Sequence, residues 1–240
     1  MNIVISQSMY FPWKGYLELI SLADIFVIYD DVQFSKGSYT NRVQIKSPNG
    51  KQSWLTIPMQ GLKFGQKINE IFLENITAWS TRHLHQLEQA YKSTKYFPEM
   101  MEVVKSVLTN DSTNLSDISH KSTIALLEYF GLNDKLNILN ACDLGIKGES
   151  SQRVFDIVNK LGGTAYITGH GASKYLDHHL FDSHNIEVRY MDYTLESYPQ
   201  QHGSFIPYVS ALDLVANCGK NGKRYIQSES IYWKNFKYET

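Results

Sequence analysis

Two apolar runs, NIVI at residues 2–5 and IFVIYD at 25–30, bracket a stretch with helical spacing, and nothing else in the chain constrains the fold as much. Short continuous apolar runs belong to strands buried on both faces. Between them Tyr16, Leu19, Ile20 and Ala23 recur at helical intervals, which predicts a helix over residues 14–22 after the loop marked by Pro12 and Gly15. Strand, helix and strand within some thirty residues form a βαβ unit, whose strands are expected to be parallel.

The pattern then changes twice. Residues 39–46 and 53–57 flank Pro48-Asn49-Gly50, a turn signal that predicts a β-hairpin, and residues 68–73 read as one more short strand. From 77 to 132 the periodicity is helical. Trp79, His83, Leu87 and Tyr91 share a face, and further helices are predicted over 98–108 and 115–130, joined by the polar stretch 109–114. Strands at 136–142, 165–168 and 186–190 alternate with helices at 150–161, 175–184 and 213–217, the last capped by Gly219. The expected class is α/β, a Rossmann-like, mostly parallel sheet with a β-hairpin and a helical insertion. Residues 1–76 form the N-terminal α/β part, 77–132 the helical insertion, and 133–240 the part that completes the same sheet.

With 240 residues the chain suits one large domain with an insertion. Twenty-three Lys and Arg against 24 Asp and Glu argue against bulk nucleic-acid binding, although local patches remain open. No signal peptide or spanning segment is evident, so a cytoplasmic protein with no nucleic-acid or membrane partner is expected. Cys142 and Cys218 have no metal-ligand spacing, and His178-His179 with Asp182 and His184 do not complete a zinc set. No metal is expected.

In an open parallel sheet, ligands gather at the carboxyl ends of the strands near a topological switch point. That rule brings together the loops after residues 6, 30 and 168. Asp30 and Asp31 follow the second strand and point to opposite sides, so one caps a turn while the other can face a pocket. Arg42, Gln44 and Lys46 share a hairpin face, with Asn41 opposite; two cations there suit a phosphate or remain a solvated face. Gly169-His170-Gly171-Ala172-Ser173-Lys174-Tyr175 follows a strand and leads into a helix. Its backbone can approach an anion, and His170 is either a general base or a hydrogen-bonded loop histidine. Neither cysteine has the neighbourhood of a thiol nucleophile, and no G-x-S-x-G elbow occurs.

The run Gln7-Ser8-Met9-Tyr10-Phe11-Pro12-Trp13-Lys14-Gly15-Tyr16, then Asp30-Asp31-Val32-Gln33-Phe34, Asn41-Arg42, Ile45-Lys46 and Trp54-Leu55-Thr56-Ile57-Pro58 resembles the WbqC-like family. Tyr175-Leu176, Tyr198 with Gln200, Phe205 with Pro207, and Ser210 through Asp213 to Asn217 and Gly219 extend the likeness over essentially the whole chain. One departure stands out: the family commonly opens His-Gln-Pro, where this chain has Ser6-Gln7-Ser8. The resemblance implies a place in polysaccharide or O-antigen clusters that make amino sugars. It implies transfer of an acyl or aminoacyl group to the amine of a nucleotide-linked amino sugar. The co-substrate is a thioester, on a phosphopantetheine carrier protein or CoA, with no bound cofactor. His170, Asp30 or Asp31 would then serve catalysis, and Arg42 and Lys46 would hold phosphate. Gln7, Tyr10, Trp13, Gln33, Asn41, Gly169, Gly171, Lys174, Tyr175, Asp213 and Asn217 would complete the substrate site. Two other readings stay open, a non-enzymatic scaffold of glycan assembly and a nucleotidyltransferase-like enzyme. The second lacks the first-loop histidine pair it would need.

Overall fold

A computed structural model describes residues 1–109 and 112–237. Its six-stranded sheet comprises β1 (Asn2–Ser6), β2 (Ile25–Ile28), β5 (Asn137–Asn140), β6 (Ala165–Thr168), β7 (Glu187–Asp192) and β8 (Glu229–Tyr232), in the order β5-β2-β1-β6-β7-β8. All neighbours are parallel except β7 and β8. Strands β3 (Arg42–Lys46) and β4 (Gln52–Thr56) form the separate antiparallel hairpin.

The two-residue period of the strands divides the apolar residues between two cores. Val4, Phe26, Ile28 and Ile167 face α1 (Lys14–Ser21), α7 (Ala211–Cys218) and the helical insertion. Ile3, Ile5, Val27 and Tyr166 face α5 (Ser150–Lys160) and the short α6 (His178–Asp182). This is why NIVI and IFVI read as unbroken apolar runs: helices cover both sides of the sheet. The insertion is α2 (Ile76–Tyr91), α3 (Phe97–Leu108) and α4 (Leu115–Phe130). Trp79, His83, Leu87 and Tyr91 are buried together, as their spacing predicts. Asn114 caps α4 by accepting from the Ser116 amide at 2.9 Å; of the stretch 109–114, residues 110 and 111 lie outside the described residues.

Several expectations are corrected. Residues 68–73 are not a strand: Ile68–Glu70 is a 3-10 turn, and the flanking chain makes isolated bridges, Met59 with Leu73 and Phe72 with Asn114. The helix expected over 175–184 shrinks to five residues, because the Asp177 carboxylate accepts from the His179 and Leu180 amides and starts the helix there. The strand at 136–142 ends at Asn140 and passes into a 3-10 turn. Strand β8 was not foreseen, since Glu229-Ser230-Ile231-Tyr232 is too short and mixed to show a period. Gly219 does follow α7 with φ of 59°, its amide reaching the Val215 carbonyl.

Candidate functional site

In the sheet order, the chain leaves β1 towards β2 on one side, while β6 and β7 lie on the other, so the switch point falls between β1 and β6. A cleft of about 600 Å³ opens there. Its floor is Ser6 and Gln7 from the end of β1 and Thr168 and Gly169 from the end of β6. Trp13, Tyr16 and Leu19 form one wall, Tyr29, Tyr166 and Tyr175 another, and residues 38–40 close a side.

Local structure explains how these side chains are held. The loop 7–13 is pinned at both ends. Asp30, buried at the end of β2, accepts from the Ser8 amide at 2.9 Å, from the Ser8 hydroxyl and from Ser116 of α4. Phe11 takes φ of 40° and is wholly buried, with its amide on Ser122 and its carbonyl on Ser210. The Trp13 indole then lies over Gly15, where an added Cβ would come within 2.2 Å of the ring. Tyr193 and Tyr208 pack edge-on against the same indole. Tyr16 reaches back to the Gln7 carbonyl at 2.7 Å.

The cleft is neutral. Among the described residues no carboxylate, imidazole, ammonium or guanidinium lines it. A second cavity of about 440 Å³ shares Tyr29 with it and holds the charge: Asp31, Lys67, Lys147, Glu149 and Arg153, together with Gln33. Arg153 and Asp31 form a largely buried ion pair, and the guanidinium also lies 4.8 Å from the Tyr29 ring centroid.

Thus the structure brings Gln7, Trp13, Gly169, Gly171 and Tyr175 together in the cleft, and Asp31 and Gln33 in the cavity beside it. The other expected site residues do not line either. His170 Nε2–H donates to the Met191 carbonyl, 2.7 Å away, and the ring packs on Phe236. Lys174 is exposed outside the cleft. Tyr10 is fully buried, its hydroxyl 3.0 Å from His83 Nδ1. Asn41 bonds the Ile57 carbonyl from a buried position, and Arg42 bonds the Gly37 carbonyl and stacks on Trp54.

Lys46 is the clearest departure from a phosphate ligand. It is 1% exposed, and its ammonium donates to Gln200 and to the carbonyls of Gly203 and Ser204. Asp213 sits in the same buried network: burial pushes its carboxyl up to about 6, against the pull of the Tyr198 and Tyr91 hydroxyls and of Lys46. Asn217 supports it by donating to the Asp213 carbonyl at 2.8 Å. The network fastens β3 and α2 to α7. Sequence reasoning missed Tyr16, Tyr29, Thr168 and Arg153. Arg153, a cation among the apolar positions of the α5 pattern, was the signal available for one of them.

The model of the WbqC-like protein family matches residues 7–225. An uncharacterised protein of Mycobacterium tuberculosis is 34% identical over 229 residues, which covers 94% of this chain and 97% of that protein. No solved structure matches.

Proposed function

The chain belongs to the WbqC-like protein family, and on that footing we propose that it transfers an acyl or aminoacyl group from a thioester to the amine of a nucleotide-linked amino sugar. The donor is a phosphopantetheine carrier protein or CoA, and the reaction runs in the switch-point cleft. The sugar nitrogen attacks the thioester carbonyl carbon, the C–N bond forms, the C–S bond breaks, and the departing thiolate takes up the proton released by nitrogen. No covalent enzyme intermediate is needed; the site supplies position and hydrogen bonds to the carbonyl oxygen.

The observation that carries this reading is the pair Gly169 and Gly171. Glycine costs about 0.5–1 kcal/mol relative to alanine when no backbone need calls for it. Here none does: Gly169 is extended, with φ of −81°, neither residue has positive φ, and a Cβ at either would meet nothing within 4 Å. Both line the cleft. The space that two side chains would fill is kept for a ligand that approaches the backbone.

The neutral walls serve the nucleophile. In an uncharged cleft walled in part by aromatic rings, desolvation disfavours the ammonium and releases the free amine. This takes over the work expected of His170 or Asp30, and agrees with Ser6 lining the cleft at the position where the family resemblance leads one to expect histidine. Lys67 and Lys147, past Tyr29, offer the positive charge for a diphosphate that Arg42 and Lys46 do not, while Arg153 is held by Asp31.

Gly171→Ala tests the reading. The variant is expected to be as stable as the parent, or more stable by about 0.4–1 kcal/mol, while binding of amino-sugar nucleotides measured by calorimetry falls at least about tenfold. Unchanged binding in a folded variant would remove the main support.

A further inference from the structure

The whole-chain charge balance conceals a local extreme. Between Asp31 and Glu70 there is no acidic residue, while Lys36, Arg42, Lys46, Lys51, Lys63 and Lys67 all fall in that tract. Lys46 is buried, and Lys36, Lys51, Lys63 and Lys67 are exposed.

The same lobe carries exposed apolar groups. At the tip of the loop 60–66, Leu62 is 39% exposed and Phe64 fully so, at 101%. Gly61 and Gly65, both at positive φ, frame this tip. Phe72, 55% exposed, lies next to it through the bond from the Gln60 amide to the Phe72 carbonyl. The segments that carry Lys36 and Lys63 are joined at Gln66, whose carbonyl accepts from the Phe34 amide and whose side chain accepts from the Lys63 amide. Glu70 and Glu74 end the tract and lie beside the loop, the Lys67 amide donating to the Glu70 carboxylate and the Glu74 amide to the Pro58 carbonyl.

We propose that this lobe seats on an anionic lipid surface, with Phe64 and Leu62 in the interfacial layer and Lys36 and Lys63 among the headgroups. A side chain that projects from a convex tip needs a preformed pocket in a protein partner but none in a bilayer interface, which yields around it. Aromatic side chains favour that layer, and cations beside it are drawn by the negative surface potential. This is contact from outside: no described helix is long and apolar enough to cross a membrane.

The test is co-sedimentation of the full chain with vesicles of phosphatidylcholine alone and of phosphatidylcholine mixed with phosphatidylglycerol, at low and high salt. Binding is expected to the mixed vesicles, weakened by salt. Lys36→Ala combined with Lys63→Ala lowers the partition coefficient about twenty-five-fold, at about fivefold per lysine. Phe64→Ser lowers it roughly tenfold through lost burial; these side chains are exposed, and thermal unfolding confirms that each variant is folded. No binding to the mixed vesicles at low salt would overturn the proposal. So would binding that Phe64→Ser leaves unchanged, which would mean plain charge adsorption.

Discussion

His83 and Asp213, two buried groups of the hairpin–helix interface, titrate in the same pH range with opposite effects on stability. Burial pushes the His83 imidazole down to about 4, from an ordinary 6.5. Its bonding is complete in the neutral form: Nε2–H donates to the Thr56 carbonyl, an acceptor only, and Nδ1 accepts from Tyr10. Between about pH 4 and 6.5 the unfolded chain therefore binds more protons here than the native protein, and this group adds stability as pH rises. The shift corresponds to about 3 kcal/mol. Asp213 behaves in the opposite sense. Its carboxyl is raised from 3.8 to about 6, so between those values the native protein holds more protons than the unfolded chain. Its contribution is present in full below about pH 4 and is lost by about pH 6, again about 3 kcal/mol. The two slopes nearly cancel in the native sequence. Asp213→Asn removes one and leaves a stability that climbs by about 3 kcal/mol from pH 4 to 6.5 relative to the parent. His83→Gln removes the other and leaves a stability that falls by about 3 kcal/mol from pH 4 to 6 relative to the parent. Urea unfolding followed by tryptophan fluorescence at half-unit steps, roughly pH 4 to 7, measures both. Profiles parallel to the parent in both variants would refute the burial argument.

Other outcomes follow from the packing. Gly15→Ala places a Cβ 2.2 Å from the Trp13 ring, so the indole moves, stability drops by about 1–3 kcal/mol, and the fluorescence of the cleft changes. An unshifted spectrum would contradict that contact. Tyr10→Phe takes the donor from His83 and is expected to cost about 1–3 kcal/mol with ligand affinity intact; a loss of affinity alone would return Tyr10 to the ligand. Arg153→Ala leaves the largely buried Asp31 without its partner, at a cost of about 3–5 kcal/mol in chemical denaturation, and Arg153→Met with Asp31→Leu recovers most of it. Failure of the double variant to recover would place the value of the pair elsewhere.

The fold was legible where an element is buried along its whole length, on one face or on both. NIVI and IFVI show as unbroken apolar runs because both faces are covered, and the Trp79–His83–Leu87–Tyr91 stripe shows the helical period because one face packs along its length. Strand β8 was not legible, since it pairs at a sheet edge and its four residues show no alternation of burial. Within the site, the strand-end rule pointed to the loops after residues 6 and 168, and Gln7, Gly169 and Gly171 from those loops line the cleft. It could not distinguish a side chain that faces the cleft from one that braces the loop. Asp30 and Tyr10 belong to the same rich segment as Gln7 and Trp13, yet α4 and α2 come from a distant part of the chain to cover them. Lys46 misled for a similar reason: residues 200–204, far away in sequence, supply the acceptors that make burial of its ammonium tolerable.

The central claim is acyl transfer to a sugar-nucleotide amine in a neutral cleft. Its most direct test is mass spectrometry of the products when the protein is incubated with a panel of amino-sugar nucleotides, each paired with carrier-bound and CoA thioesters. At least one pair is expected to give an amide-linked product, heavier by the acyl group, with one free thiol released per product formed and with the yield lost in Gly171→Ala. Tight binding of a sugar nucleotide with no mass gain from any donor would contradict transfer and leave a binding protein in its place.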